Sequence, residues 1–199
     1  MSARVVVLAG PSGAGKSHLA ARLGLPILRL DDFYREIDDP DLPMIELAGG
    51  TPIVDWDDPR SWDRDAALAA IGELCRTGCT RVPAYDISSS RRTDWHELRL
   101  GDASLVVAEG IFAQEVVGGC AEMGVLAGAY CVTQWPPRTF VRRLVRDLRE
   151  HRKPPLVLVR RGWRLLREQA AVVRHAESLG CRVVSPDDAY ALIAETPKL

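Results

Sequence analysis

Five short apolar runs recur along the chain, separated by segments with helical periodicity. The predicted strands are Arg4–Ala9, Ile27–Leu30, Leu105–Ala108, Ala129–Thr133 and Arg182–Val184. The predicted helices lie near Lys16–Leu23, Trp62–Arg76, Pro137–His151, Leu156–Ser178 and Pro186–Ala194. Continuous apolar strands that alternate with helices are typical of a parallel sheet covered on both faces. The pattern therefore predicts a three-layer α/β fold with a five-stranded parallel sheet.

Two segments depart from this alternation. The stretch Ile37–Ser61 is rich in Asp and Pro and has no periodicity, and a loop of that length in a compact domain is usually functional or disordered. Further along, Val82–Asp86 and His96–Leu100 alternate in a way that predicts a small hairpin outside the main sheet.

Composition limits the class of protein. The chain has 199 residues, a formal net charge of −1 and five cysteines without a Cys-x-x-Cys pair. The near-neutral charge argues against a nucleic-acid or membrane partner, and no apolar run is long enough to span a bilayer. The scattered cysteines indicate reduced thiols. We expect one domain over residues 1–199 in the cytoplasm, and a homo-oligomer is left open.

The first strand leads into the sequence GPSGAGKS, residues 10–17, and then into a predicted helix. This spacing matches the phosphate-binding loop (Walker A) motif in the strand–loop–helix context that makes it credible. Backbone N–H groups and the helix N-terminus would surround a polyphosphate, Lys16 would reach its outer phosphates and Ser17 would hold Mg²⁺. The alternative is a glycine-rich turn with an incidental lysine. The predicted nucleotide-binding residues are Gly10, Ser12, Gly13, Ala14, Gly15, Lys16, Ser17 and His18.

Acidic side chains follow two of the predicted strands. Asp31 and Asp32 come after the second strand, and Glu109 comes after the third. Ligands of open α/β sheets bind outside the carboxyl ends of the strands, so a carboxylate there can take the proton of an attacking hydroxyl or support Mg²⁺. The alternatives are a helix N-cap for one aspartate and a solvated strand end for Glu109.

A basic segment follows the fourth strand. Its cationic residues are Arg138, Arg142, Arg143, Arg146, Arg149, Arg152 and Lys153. Arginines that close over a phosphoryl group in transfer lower the barrier, so the segment predicts a mobile lid. A solvated helix face or a nucleic-acid patch is the alternative.

Several ordered motifs resemble those of the uridine kinase family of P-loop kinases, over residues 4 to 153. Besides the phosphate loop they are DDFY (31–34), DWDDPRSWD (55–63), VPAYDISSSRRT (82–93), VVAEGIF (106–112) and RRLVRD (142–147). The chain departs from the family at Ser90, where the family has a base-reading histidine, and at residues 151–153, where the family has Arg-Gly-Arg.

The resemblance implies a role for each matched position. Asp31 takes the place of the catalytic base and Glu109 that of the acid on the magnesium side. Arg143 and Arg146 fall in the lid, which covers about residues 143–156, and the hairpin insert covers about residues 80–101. The implied substrate-site residues are Tyr34, Asp57, Tyr85 and Arg92, with Asp57 at the ribose hydroxyls.

The resulting hypothesis is an ATP- and Mg²⁺-dependent kinase that phosphorylates a hydroxyl of a small metabolite, with the 5′-hydroxyl of a uridine- or cytidine-like nucleoside as the favoured acceptor. Ser90 keeps another alcohol open, such as pantothenate or a sugar phosphate. A nucleotide-dependent switch or accessory ATPase is the alternative from another class, although such a protein has no need of an acceptor-side carboxylate.

Overall fold

The computed structural model describes residues 3–46, 52–133 and 170–196. Its strands are β1 (Arg4–Ala9), β2 (Ile27–Arg29), β3 (Met44–Ile45), β4 (Ile53–Val54), β5 (Cys79–Asp86), β6 (Arg91–Arg99), β7 (Leu105–Glu109), β8 (Leu126–Val132) and β9 (Arg182–Val184). Its helices are α1 (Lys16–Leu23), α2 (Arg64–Thr77), α3 (Val117–Glu122), α4 (residues 170–178) and α5 (Pro186–Ala194). Single 3₁₀ turns span Leu30–Phe33, Pro59–Ser61 and Ala113–Val116.

The main sheet has five parallel strands in the order β2-β7-β1-β8-β9. Side chains of β1 divide between its two faces: Val5 and Val7 pack in the cluster that contains α2 and α3, whereas Val6 and Leu8 pack in the cluster that contains α1 and α5. Both clusters are apolar and buried. The predicted three-layer α/β fold with a five-stranded parallel sheet is therefore confirmed.

The predicted bounds of β1, β9, α1 and α5 agree with the structure. Helix α2 begins at Arg64 rather than at Trp62, because the Asp63 carboxylate caps it by accepting a hydrogen bond from the Ala66 N–H at 2.9 Å. Strand β8 begins at Leu126, three residues early, since Ala and Gly at its start carry little strand signal. Helix α3, with two glycines, was not predicted.

The predicted hairpin exists and lies outside the main sheet. Strands β5 and β6 pair antiparallel, with Val82 opposite His96 and Asp86 opposite Arg91. Strand β6 starts five residues before its predicted start because its residues 91–95 are largely exposed and polar, which hides the alternation. The long Asp- and Pro-rich stretch contains the short antiparallel pair β3–β4, whose two-residue strands are too brief to predict.

Other predictions fall outside the described residues. These include the helix near Pro137–His151, the lid over about residues 143–156 and the first part of the helix near Leu156–Ser178. The single-domain assignment stays a prediction. Among the described helices, none is long and apolar enough to cross a membrane.

Candidate functional site

The loop between β1 and α1 is shaped by its glycines. Gly10, Gly13 and Gly15 have φ of 129°, 84° and 97°, in the left-handed region that favours glycine. Gly10 also lies against β8: a Cβ there would be 2.4 Å from the Val132 carbonyl oxygen. The loop therefore has the strand–loop–helix arrangement that the motif predicts, with Ser12 and Ala14 inside it and the exposed His18 in the first turn of α1.

Lys16 is buried and folds back over this loop. Its Nζ donates hydrogen bonds to the carbonyl oxygens of Gly10, at 2.7 Å, and Pro11, at 3.3 Å. The ammonium group is thus held inside the curve of the loop, at the N-terminus of α1, where the helix dipole also favours an anion.

Ser17 and Glu109 join the loop to the end of β7. The Ser17 hydroxyl donates to Oε1 of Glu109 at 2.9 Å. Glu109 is 7% exposed, and burial raises the pKa of its carboxyl group; Lys16 opposes this shift and the charge of Asp31 adds to it. A hydroxyl and a carboxylate oxygen are ligands that Mg²⁺ takes in nucleotide sites. The described residues include no cluster of three or more His, Cys, Asp or Glu metal ligands.

Asp31 lies at the end of β2, next to β7 in the sheet, where Arg29 is in register with Glu109. Its Oδ1 accepts a hydrogen bond from the Ile111 N–H at 2.9 Å. Gly110 makes room for this contact, because a Cβ there would be 2.8 Å from the same oxygen. The structure thus brings the predicted base and the predicted magnesium-side acid together at one sheet edge.

Asp32 has partners different from those of Asp31. Its carboxylate accepts a hydrogen bond from the Tyr85 N–H, and its Oδ2 lies 3.8 Å from Nε of Arg29. Burial raises the pKa of Asp32, and the Arg29 guanidinium opposes the shift. Arg29, not an aspartate, occupies the N-cap of the turn Leu30–Phe33, so the two carboxylates have separate partners: Asp31 is bonded to the β7 loop and Asp32 to the hairpin.

An aromatic group surrounds Tyr34, three residues after Asp31, and includes Phe112, the residue after the Ile111 that bonds to Asp31. The Tyr34 ring is 5.8 Å from Trp56, 5.7 Å from Tyr85 and 5.9 Å from Phe112, measured between centroids. The Tyr85 hydroxyl donates to the Arg35 carbonyl at 3.0 Å. Burial raises the pKa of this hydroxyl, and the Ser90 side chain opposes the shift. Ser90 has a φ of 52°, uncommon for a serine. The residue that replaces the family's histidine therefore lies close to Tyr85.

A cleft of about 460 Å³ lies near this group, since two residues that line it, Arg35 and Arg92, make hydrogen bonds with Tyr85 and Tyr34. We call it the acidic cleft; it is lined by side chains of the 35–41 segment together with Asp63 and Arg92. Nη2 of Arg92 lies 3.7 Å from Oδ2 of Asp63 and 3.5 Å from the Tyr34 carbonyl oxygen. The structure thus places Arg92, Tyr34 and Tyr85 in one region, as the resemblance implies.

Asp57 lies in an exposed turn beside this region. Its backbone N–H donates to Oδ1 of Asp55 at 3.2 Å, and the preceding Trp56 carbonyl accepts a hydrogen bond from the Tyr34 hydroxyl at 3.2 Å. The predicted transition-state arginines, Arg143 and Arg146, lie outside the described residues.

Sequence reasoning missed Trp62. This buried side chain donates from Nε1 to the Leu30 carbonyl oxygen at 2.6 Å, and its ring lies 6.1 Å from that of Phe112. The bond fixes the backbone directly before Asp31. The signal available was a tryptophan immediately before a helix cap, inside the stretch DWDDPRSWD.

Comparison with solved structures shows the fold of this chain, and comparison with curated proteins finds matches to part of its sequence. The described architecture is similar to the crystal structure of a putative fructose transport system kinase from Silicibacter sp. TM1040, with a TM-score of 0.58, 15% identity, and coverage of 93% of this chain and 88% of that one. The chain has the fold of a P-loop kinase. A possible uridine kinase from Bacillus stearothermophilus is also similar, with a TM-score of 0.48, 18% identity and coverage of 72% and 77%.

Two curated proteins each match 116 residues, or 55%, of this chain. Inorganic pyrophosphatase TTM1 of Arabidopsis thaliana is 32% identical over its match, and uridine kinase of Saccharomyces cerevisiae is 28% identical over its own. The chain spans 16% and 22% of the length of these two relatives. No family model matches. The resemblance to uridine kinase that the motifs indicated is confirmed by the yeast match.

Proposed function

We propose that this chain transfers a phosphoryl group from ATP, with Mg²⁺, to a hydroxyl of a small polar metabolite, and that a nucleoside is the favoured acceptor. The observation that carries the proposal is the position of Asp31. Its carboxylate is held by the Ile111 N–H at the end of β2, and in the neighbouring strand β7 the residue in register with Arg29 is Glu109, which bonds to Ser17 of the phosphate loop. A nucleotide-dependent switch needs the loop but has no use for an acceptor-side carboxylate at that edge of the sheet.

The residues of the loop fit a magnesium nucleotide. Lys16 and the N–H groups of residues 13–17 would bind the outer phosphates, and Ser17 with Glu109 would hold the ion or its waters. When bound, Mg²⁺ would neutralise charge on the transferred group. Lys16 would exchange its bonds with the Gly10 and Pro11 carbonyls for phosphate oxygens.

Asp31 would act as the general base. The Ile111 N–H holds Oδ1 and thereby orients the carboxylate, so the proton of the attacking hydroxyl would pass to Asp31 as the oxygen bonds to phosphorus. Arg143 and Arg146 are proposed, on the resemblance alone, to close over the phosphoryl group.

Acceptor binding would fall to the region of Tyr34, Tyr85, Arg92 and Asp57. Vicinal ribose hydroxyls would donate to Asp57, and the aromatic group would contact a flat base. Because Ser90 is shorter than a histidine, it would not donate to the base edge from the same place. Discrimination between uridine and cytidine should therefore be weak.

A second candidate is hydrolysis of a phosphoanhydride without an acceptor. The match to a protein named inorganic pyrophosphatase favours it, since the same loop would bind pyrophosphate or ATP. In that reading Asp31 would orient water instead of a metabolite hydroxyl.

The test is an ADP-release assay with uridine, cytidine, deoxyuridine, pantothenyl alcohol and simple sugars, beside arms with ATP alone and with pyrophosphate. We expect acceptor-dependent ADP release that Asp31→Asn slows by about 10²- to 10⁴-fold, the usual weight of a general base. Asp32→Asn is the matched control and should cost far less, because Asp32 is bonded to the hairpin. Hydrolysis that no acceptor stimulates would refute the kinase and support the second candidate.

A further inference from the structure

The ends of strands β2 and β7 place an arginine beside the proposed magnesium-side acid. Arg29, the last residue of β2, is in register with Glu109, the last residue of β7. The preceding pair, Leu28 and Ala108, packs into the apolar cluster on the α2 and α3 side of the sheet. Because successive side chains of a strand alternate between the two faces, Arg29 and Glu109 both project towards α1. The bond from Ser17 of α1 to Glu109 agrees with that direction.

The Arg29 guanidinium is accessible and weakly bound. Its side chain is 69% exposed, and its one ion pair among the described residues joins Nε to Oδ2 of Asp32 at 3.8 Å, which is beyond hydrogen-bond distance. An exposed ion pair of this kind contributes little to stability. The N–H donors of the guanidinium are therefore available to a ligand.

The positive charge of Arg29 reaches the acids at this edge of the sheet. It opposes the rise that burial causes in the pKa of Asp32 and in the pKa of Glu109. Lys16, whose Nζ is bonded within the phosphate loop, opposes the same rise at Glu109. Because β7 lies between β1 and β2 in the sheet, Glu109 has Lys16 on the β1 side and Arg29 on the β2 side.

A polyphosphate bound at this edge would be close to both cations. An ion held by Ser17 and Glu109 would bring phosphate oxygens with it, and adjacent strands are only about 4.8 Å apart, so the long side chain of Arg29 starts one strand away from that ion. The planar guanidinium matches a phosphoryl group in geometry. The proposed base, Asp31, lies two residues further along the chain.

We propose that Arg29 is a further catalytic residue of the phosphoryl-transfer site, where its guanidinium binds oxygens of the γ-phosphoryl group during transfer. The acceptor hydroxyl oxygen bonds to the γ-phosphorus, the bond from this phosphorus to the β,γ-bridging oxygen breaks, and ADP leaves with the bonding electrons while the proton passes to Asp31. Arg29 forms no covalent bond and stabilises the charge on the outer oxygens. The inference rests on the proposed kinase function.

The first test is steady-state kinetics of acceptor-dependent ADP release. Arg29→Gln should lower kcat by about 10- to 100-fold and raise the KM for ATP by less than about threefold, because the contact is strongest in the transition state. Arg29→Lys keeps a cation and should be at least about threefold faster than Arg29→Gln. Arg99→Gln is the matched control and should keep the wild-type kcat: Arg99 is 70% exposed and pairs with Glu97 at 2.7 Å, at the end of the hairpin remote from its turn.

The second test measures binding without turnover. ADP with Mg²⁺ and aluminium fluoride mimics a phosphoryl group in transfer, so it should raise the melting temperature of the wild type more than ADP with Mg²⁺ does. Arg29→Gln should lose most of that difference and keep the response to ADP with Mg²⁺. Arg99→Gln should keep both responses.

A double-mutant cycle with Asp32 separates contact with the phosphoryl group from an effect through the ion pair. In an Asp32→Asn background, Arg29→Gln should lower kcat by the same factor as in the wild type. If the loss disappears there, Arg29 acts through Asp32 and is not a catalytic residue. Wild-type kcat in Arg29→Gln, or an unchanged response to aluminium fluoride, would also overturn the inference while the kinase stands. If ADP release by the wild type is independent of every acceptor, the kinase function fails and this inference falls with it.

Discussion

A single methyl group at Gly110 should displace the proposed base. Gly110 follows Glu109 at the end of β7, and its φ is not in the left-handed region, so alanine meets no backbone strain there. The added Cβ would lie 2.8 Å from Oδ1 of Asp31 and 2.9 Å from Cβ of Leu30. Gly110→Ala therefore acts on the base through contact alone.

The expected losses of stability and of kcat follow from those two distances. Carbon and oxygen atoms in weak contact lie about 3.3–3.6 Å apart, so Asp31 must retreat by at least about 0.5 Å, and its bond from the Ile111 N–H must lengthen or break. Overpacking of this kind costs about 1–3 kcal/mol of stability. A misplacement approaching 1 Å costs about 10²-fold in rate, so kcat should fall by about 10- to 100-fold with little change in the KM for ATP.

The assay combines urea unfolding with acceptor-dependent ADP release. Gly118→Ala is the matched control: Gly118 is an exposed position of α3 where a Cβ would meet nothing within 4 Å. Replacing it should leave kcat unchanged and should stabilise the protein by about 0.4–1 kcal/mol through the unfolded state.

A double-mutant cycle separates the contact with Asp31 from the contact with Leu30. In an Asp31→Ala background the carboxylate is gone, so Gly110→Ala should cost less stability than in the wild type, with a coupling of about 0.5–3 kcal/mol. Wild-type kcat and stability in Gly110→Ala would refute the reasoning, and so would additive stability changes in the cycle.

Three further predictions concern the same sheet edge. Lys16→Met should lower kcat by about 10²–10³-fold or more, because a preorganised cation at the phosphates is lost; retained turnover at saturating ATP would contradict the assignment. Trp62→Phe should cost about 1–3 kcal/mol in urea unfolding, because the buried Leu30 carbonyl loses its donor; a change below about 0.5 kcal/mol would contradict this. Glu109→Gln should abolish Mg²⁺-dependent turnover yet raise the melting temperature at neutral pH without ligand. Burial raises the pKa of Glu109, so its charged form destabilises the folded wild type at neutral pH. The wild type should regain stability relative to the variant as pH falls through that raised pKa. A variant that is less stable than the wild type at neutral pH would overturn the argument.

The parts of the site that sequence could predict are those set by one local pattern. Strand β1, the glycine-rich loop and helix α1 follow one another directly along the chain. Their sequence changes from an apolar run to a turn and then to a helical pattern, and the predicted bounds of β1 and α1 agree with the structure. Asp31 and Glu109 could be placed at one edge because parallel strands end on the same side of a sheet.

The parts that could not be predicted depend on contacts between distant segments. Asp32 is bonded to the backbone of Tyr85 and Trp62 to that of Leu30, and neither contact leaves a local signal. The left-handed backbone of Ser90 is likewise accompanied by a tertiary contact: its carbonyl accepts a hydrogen bond from the Ile37 N–H at 3.0 Å. Without that contact a serine gives no reason to expect φ above zero.

The hairpin and the segment after Asp31 are joined by several such bonds, and this has a consequence for the acceptor side. Asp32 with the Tyr85 N–H, the Tyr85 hydroxyl with Arg35, and Arg91 with Asp38 all connect the same two segments. A change in any one of them leaves the others in place, so single substitutions should alter acceptor KM more than they alter the fold. The phosphate side has no such redundancy, because Lys16, Ser17 and Glu109 each occupy a distinct position.

The charges of the site favour a cation as well as a phosphate. Burial raises the pKa of Glu109, and the nearby charge of Asp31 adds to the shift. Lys16 offsets only part of it, because the pKa of Glu109 is still raised. A divalent ion close to Glu109 would remove that conflict, and Lys16 would then be released to the phosphates. Ion and nucleotide should therefore bind cooperatively: each should stabilise the folded chain against heat more in the presence of the other than alone.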